Sequence, residues 1–205
     1  MAVELKCESC YDERELWKYA NTSYQQIAGQ HAALCDTHYF VTLTVLEWID
    51  IFTKPEYYQV ITDSLNYCRA HKRLKVYEYV IMTNHLHLIV GVSGEDASLA
   101  QVLSDVKKHT TRELWKLIEK DNRGYIKNLL NNSFKKKTGY AKQVWQRENY
   151  PEVIYSDEFL TTKAKYIHEN PVKKEYVRNP EDWRYSSAYE RIIGKLGDVM
   201  LDKYD

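Results

Sequence analysis

The feature that most restricts the fold is a pair of apolar runs, Leu74–Met82 and His85–Val92, with only Thr83 and Asn84 between them. Both have the length and residue content of strands. A link this short makes them lie side by side and antiparallel, as a hairpin. Tyr39–Leu46, with its β-branched and aromatic residues, reads as a further strand. Between it and the hairpin, Pro55 opens a helix in which Tyr58, Val60, Ile61, Leu65 and Cys68 follow helical spacing. Ser98 is placed to cap a long helix to about Lys120, with Leu99, Val102, Val106, Leu114 and Leu117 on its inner side. Residues Asn122–Lys142 read as an irregular, lysine-rich insertion, and Val144–Tyr155 as extended. Ser156 then opens a helix expected to stop near Glu169, at Asn170-Pro171.

The order β-α-β-β-α-β followed by a helix implies an α+β fold. It would be a ferredoxin-like (RRM-like) antiparallel sheet covered by helices. The main domain is assigned to residues 38–205, preceded by an N-terminal extension, residues 1–37, with no clear strand.

With 44% hydrophobic and 28% charged residues, the chain can bury a core, which excludes a disordered charged tail. No apolar run reaches the ~18 residues of a membrane span. The first residues lack the apolar stretch of a secretory signal, so a soluble cytoplasmic protein is expected.

The net charge of zero hides an asymmetry. Residues 107–147 hold twelve Lys and Arg against Glu113, Glu119 and Asp121, so that stretch is +9 and the rest −9. Either it is a solvated face or it meets phosphates, with Lys107, Lys108, Arg112, Lys135, Lys136 and Lys137 as the candidate contacts. Eighteen tyrosines against four phenylalanines suit half-wet surfaces, including those that stack on bases.

Two short patterns carry chemistry. In His85-Leu86-His87 the strand alternation sends both imidazoles to one face, where they can converge on one divalent cation or pair with neighbours as buried structural histidines. In Tyr166-Ile-His-Glu-Asn170 the i, i+4 spacing places Tyr166 and Asn170 on one helix face. A tyrosine hydroxyl can attack a phosphodiester while a cation polarises it.

His85-Leu-His87 followed by Tyr166-Ile-His-Glu-Asn-Pro-Val172 resembles the HUH single-strand transposases, specifically the REP-associated tyrosine transposase branch (IS200-like transposases). Tyr39-Phe-Val-Thr, Trp145-Gln146 and Trp183-Arg-Tyr-Ser-Ser187 support the resemblance, which spans roughly His38 to Tyr189. It implies a ferredoxin-like core and a transient 5′-phosphotyrosine link to single-stranded DNA near a hairpin, with a free 3′-OH released. By resemblance Tyr166 is the nucleophile, and His85, His87 and Asn170 hold magnesium or manganese. Trp145 and Gln146 join the DNA-contacting set, and the protein is a monomer or homodimer. The alternative is a non-catalytic DNA- or RNA-binding protein on the same fold. Outside the resemblance, Cys7, Cys10, Cys35 and His38 match a Cys₃His structural-zinc set, weighed against incidental thiols.

Overall fold

The computed structural model describes residues 37–94, 97–135 and 142–204. Four strands form one antiparallel sheet: β1 (Tyr39–Thr44), β2 (Leu74–Ile81), β3 (His85–Val92) and β4 (Glu152–Val153), in the order β2-β3-β1-β4. Five α-helices accompany it among the described residues: α1 (Pro55–His71), α2 (Leu99–Lys120), α3 (Gly124–Lys135), α4 (Asp157–Lys173) and α5 (Ser187–Ile193). This is the α+β, ferredoxin-like arrangement expected from the element order. Among the described residues no helix is long and apolar enough to cross a membrane.

The pleat divides the sheet residues between two cores. Val41, Leu43, Leu86, Leu88 and Val90 face α1 and α2, where Ile61, Leu65, Val102, Val106 and Leu114 complete the main core. Phe40, Val80 and Ile89 face the other way and receive Ile167 of α4. Ser98 caps α2 by accepting from Gln101 N. The outer side of β1 is covered by β4 and by Trp145 opposite Val45, and the outer edge of β2 by the bridge from Val80 to Ser186.

Two expectations are corrected. The stretch 122–142 is not an irregular insertion, because Gly124–Lys135 is helical. Ile126, Leu129 and Leu130 recur at helical spacing and pack on the main core, a signal masked by the surrounding lysines. The second correction concerns α4, which continues through Pro171 to Lys173 instead of stopping at Asn170. Proline cannot donate the bond that Ile167 O would accept, but burial of Ile167, Asn170 and Pro171 against the sheet offsets that loss.

A register break in β2 between Val76 and Glu78 is a β-bulge. It sends both Tyr77 and Glu78 toward α4. Glu78, 4% exposed, meets His168 Nε2 of α4 at 2.8 Å, Arg191 Nε at 3.1 Å and Tyr204 OH at 3.3 Å. Burial would raise the carboxyl pKa. Hydrogen bonding by His168 and Ser187, with the charges of His168 and Arg191, outweighs it and holds the group below the usual carboxylate value.

Candidate active site

β3 is flanked by β1 and β2, and its α4-facing side carries His85 and His87 two residues apart. Their ring centroids are 4.8 Å apart and each residue is 5% exposed. From β1, Thr42 Oγ1 lies 2.8 Å from His87 Nδ1. Phe40 stacks on the same imidazole at 5.4 Å.

The hydrogen bonds decide the tautomer of His85. Asn84 Nδ2 donates to Trp48 O and to Asp50 Oδ1, so its Oδ1 is the atom 2.7 Å from His85 Nδ1. That oxygen only accepts. His85 Nδ1 therefore carries the proton, and Nε2 keeps its lone pair. For His87 the Thr42 hydroxyl can give or take, so whatever meets Nε2 selects the tautomer.

Helix α4 crosses above this pair. One turn of it places Tyr166 OH 3.5 Å from His87 Nε2 and brings the Asn170 amide beside His85. Asn170 Oδ1 is buried and meets no donor within hydrogen-bond geometry, although the amide is close enough to favour a charged His85. Lys173 lies 5.7 Å from the Tyr166 ring centroid, and Lys163 4.2 Å from that of Phe40. The structure thus brings His85, His87, Tyr166 and Asn170 together.

Burial, then the charge of Lys174, pulls His85 down to about 4. Burial, then His85 and Lys163, pulls His87 down to about 3. Both imidazoles are therefore neutral at pH 7, as ligands must be. This has a consequence for stability. Between the ordinary value of 6.5 and these lowered values the unfolded chain binds protons that the folded protein refuses. Stability is fully present above pH 6.5, falls as pH drops toward 4, and levels off below about 3, at about 1.4 kcal/mol per pH unit for each histidine. Urea unfolding of metal-free protein from pH 7.5 to 4.5 should show that slope, and the His85→Gln/His87→Gln double variant should lose most of it. An equal slope in the double variant would place the proton uptake elsewhere.

Two imidazole nitrogens and an amide oxygen make a mixed donor set that could hold a divalent cation. Among the described residues no three His, Cys, Asp or Glu side chains cluster for a metal, so an ion at this point would rely on His85, His87, the oxygen of Asn170 and water. The unsatisfied Asn170 Oδ1 and the oriented His85 Nε2 fit that role, and Asn84 and Thr42 hold the two rings from behind.

The basic residues are distributed unevenly. Lys107, Lys108, Arg112, Lys116, Lys142 and Arg147 line a groove of about 720 Å³ between α2 and the segment before β4. Lys107 is not free in it. Its ammonium, with a pKa pulled to about 8 by burial, donates to Gln146 O, Arg147 O and Asn149 Oδ1. Trp145 is 2% exposed and donates to Thr110 Oγ1, and so walls the groove from within the core. Gln146 N donates to Thr44 O, stitching that wall to β1. Lys135 ends α3. Lys136 and Lys137 lie outside the described residues, as do Cys7, Cys10 and Cys35. His38 rests against the rings of Tyr77 and Tyr204.

No protein-family model matches the chain. A curated Haemophilus influenzae protein that carries the name REP-associated tyrosine transposase is 27% identical over 144 residues, 66% of this chain and 75% of that one. A solved structure of a REP-associated tyrosine transposase bound to a REP hairpin superposes with a TM-score of 0.60 at 16% identity, covering 83% of this chain and 88% of the other. The chain resembles the REP-associated tyrosine transposases in both sequence and fold. Four residues near the site are not among the site candidates read from the sequence: Thr42, Asn84, Lys163 and Trp48. Strand register alone could have found Thr42, which lies opposite His87.

Proposed function

We propose that the protein is a divalent-metal-dependent transposase-like enzyme that nicks and transfers single-stranded hairpin DNA through Tyr166. The observation carrying this reading is the meeting of Tyr166 OH, the two neutral imidazoles and the orphaned Asn170 oxygen beneath one helix. Magnesium or manganese held by His85, His87 and Asn170 would supply charge to polarise a phosphodiester and stabilise its transition state. Tyr166, 39% exposed, reaches solvent and can meet a phosphate from outside. Attack by its oxygen forms a tyrosine–phosphorus bond, breaks the bond to the 3′ oxygen and leaves a 3′-OH with the protein on the 5′ phosphate. Reversal with a different 3′-OH would rejoin strands. The groove bases Lys108, Arg112 and Lys116 are the candidates for holding phosphates away from the reaction. Hairpin DNA is the chosen substrate because the similar solved structure holds a REP hairpin.

The test is incubation with 5′- and 3′-labelled single-stranded hairpins with and without Mn²⁺. A covalent DNA–protein band dependent on the cation is expected, together with a free 3′-OH fragment. Tight hairpin binding with no adduct under any cation would favour the non-catalytic binding protein instead.

A further inference from the structure

Trp48 stands at the rim of the site with 57% of its surface open, the one exposed tryptophan among the described residues. Its ring centroid is 5.4 Å from that of His85, at 70° between planes. Nothing in the fold requires an indole at that place, since Leu46 and Ile49 on either side supply the buried contacts of the turn.

The backbone beneath Trp48 is unusual. Glu47 and Trp48 take successive left-handed conformations, with φ of 51° and 56°. Bulky L-residues rarely adopt this conformation, and it persists only where surrounding structure holds it. Here the holding groups are identifiable. Trp48 N donates to Val45 O, Leu46 N to Val144 O, and Asn84 Nδ2 donates to Trp48 O. The last of these is informative, because the same amide accepts from His85 Nδ1. One side chain therefore fixes both the ligand imidazole and the carbonyl from which the indole projects.

We propose that Trp48 is a stacking platform for an unpaired nucleobase next to the scissile phosphate, on the His85 side of the site. This rests on the reading of the site as a single-stranded DNA nickase and adds the substrate feature that the site grips. The position fits: a phosphate held over the two imidazoles leaves its adjoining base within reach of an indole that flanks His85. Every base offers a π-face, so the contact would hold an unpaired nucleotide largely regardless of its identity. It would also refuse a base still stacked in a duplex.

The experiment uses the full chain and a hairpin oligonucleotide that it cleaves, with 2-aminopurine placed in turn at each unpaired position beside the cut. One position should show fluorescence quenching on binding, in the cleavage-inactive Tyr166→Phe background. Trp48→Ala should remove that quenching and weaken binding roughly 5- to 150-fold, the range found for loss of base–aromatic stacking. Trp48→Phe, which keeps a ring, should stay close to the parent. An abasic nucleotide at the quenched position should weaken the parent by a similar factor, and combining it with Trp48→Ala should cost nothing further. Additive losses, or Trp48→Ala binding as tightly as the parent on a hairpin the parent cleaves, overturn the stacking role and leave the nickase reading standing. If the parent neither binds nor cleaves any single-stranded hairpin, both readings fall together.

Discussion

Tyr166→Phe is expected to abolish the covalent DNA adduct and the free 3′-OH while leaving hairpin binding nearly intact. The change removes one oxygen. The ring contacts with Phe40 at 5.9 Å and His87 at 5.0 Å remain, and the hydroxyl at 3.5 Å from His87 Nε2 gives the fold little beyond a long hydrogen bond. Without that oxygen there is no attacking atom, so the loss should be total within detection. His87→Ala separates the two roles: the nucleophile survives, cleavage slows greatly, and binding of Mn²⁺ weakens. Comparing thermal stability and hairpin affinity excludes a general folding defect. A near-normal adduct in Tyr166→Phe would move the nucleophile to another tyrosine, and Tyr155 and Tyr150, exposed just upstream, would be tested next.

The largest loss of stability is expected at a residue with no part in the chemistry. Glu78→Ala leaves Arg191 and His168 facing an empty site where a buried carboxylate accepted from both. Removing this carboxylate costs about 1 to 3 kcal/mol, because His168 and Ser187 lose a buried acceptor while the exposed Arg191 turns to solvent. Glu78→Gln keeps shape and part of the hydrogen bonding, so it should lose distinctly less. Urea unfolding at pH 7 compares the two, with the slope m checked for constancy. A loss under about 1 kcal/mol for Glu78→Ala would mean that water readily replaces the carboxylate.

The parts of the site read from the sequence share a property: each depends on local repeat geometry. His85 and His87 share a face because an unbroken strand alternates, and Tyr166 and Asn170 share one because a helix turns once in about four residues. The parts that were not legible break such repeats. Strict alternation along β2 would send Glu78 and Tyr77 to opposite faces, and only the bulge puts both toward α4. Trp48 depends on two left-handed residues that no propensity favours. Pro171 looked like a stop because local cost was visible and tertiary burial was not. A count of charges cannot separate Lys107 from Lys108: both line the groove, but Lys107 is folded onto backbone carbonyls.

The sheet separates the histidine pair from the basic groove. The imidazole pair lies on the α4 side, while the basic groove borders α2, which covers the opposite side. The segment joining them, Trp145 and Gln146, runs along the β1 edge, with Gln146 bonded to Thr44 and Thr44 opposite His85. A nucleic acid touching both regions has to turn around that edge within a few residues' width. Duplex DNA, with a persistence length of about 150 base pairs, resists so tight a turn, whereas an unpaired strand makes it at little cost. Stiffness alone would then sort substrates before any base is recognised: a helical stem could rest in one region, but only its frayed or looped continuation could reach the other.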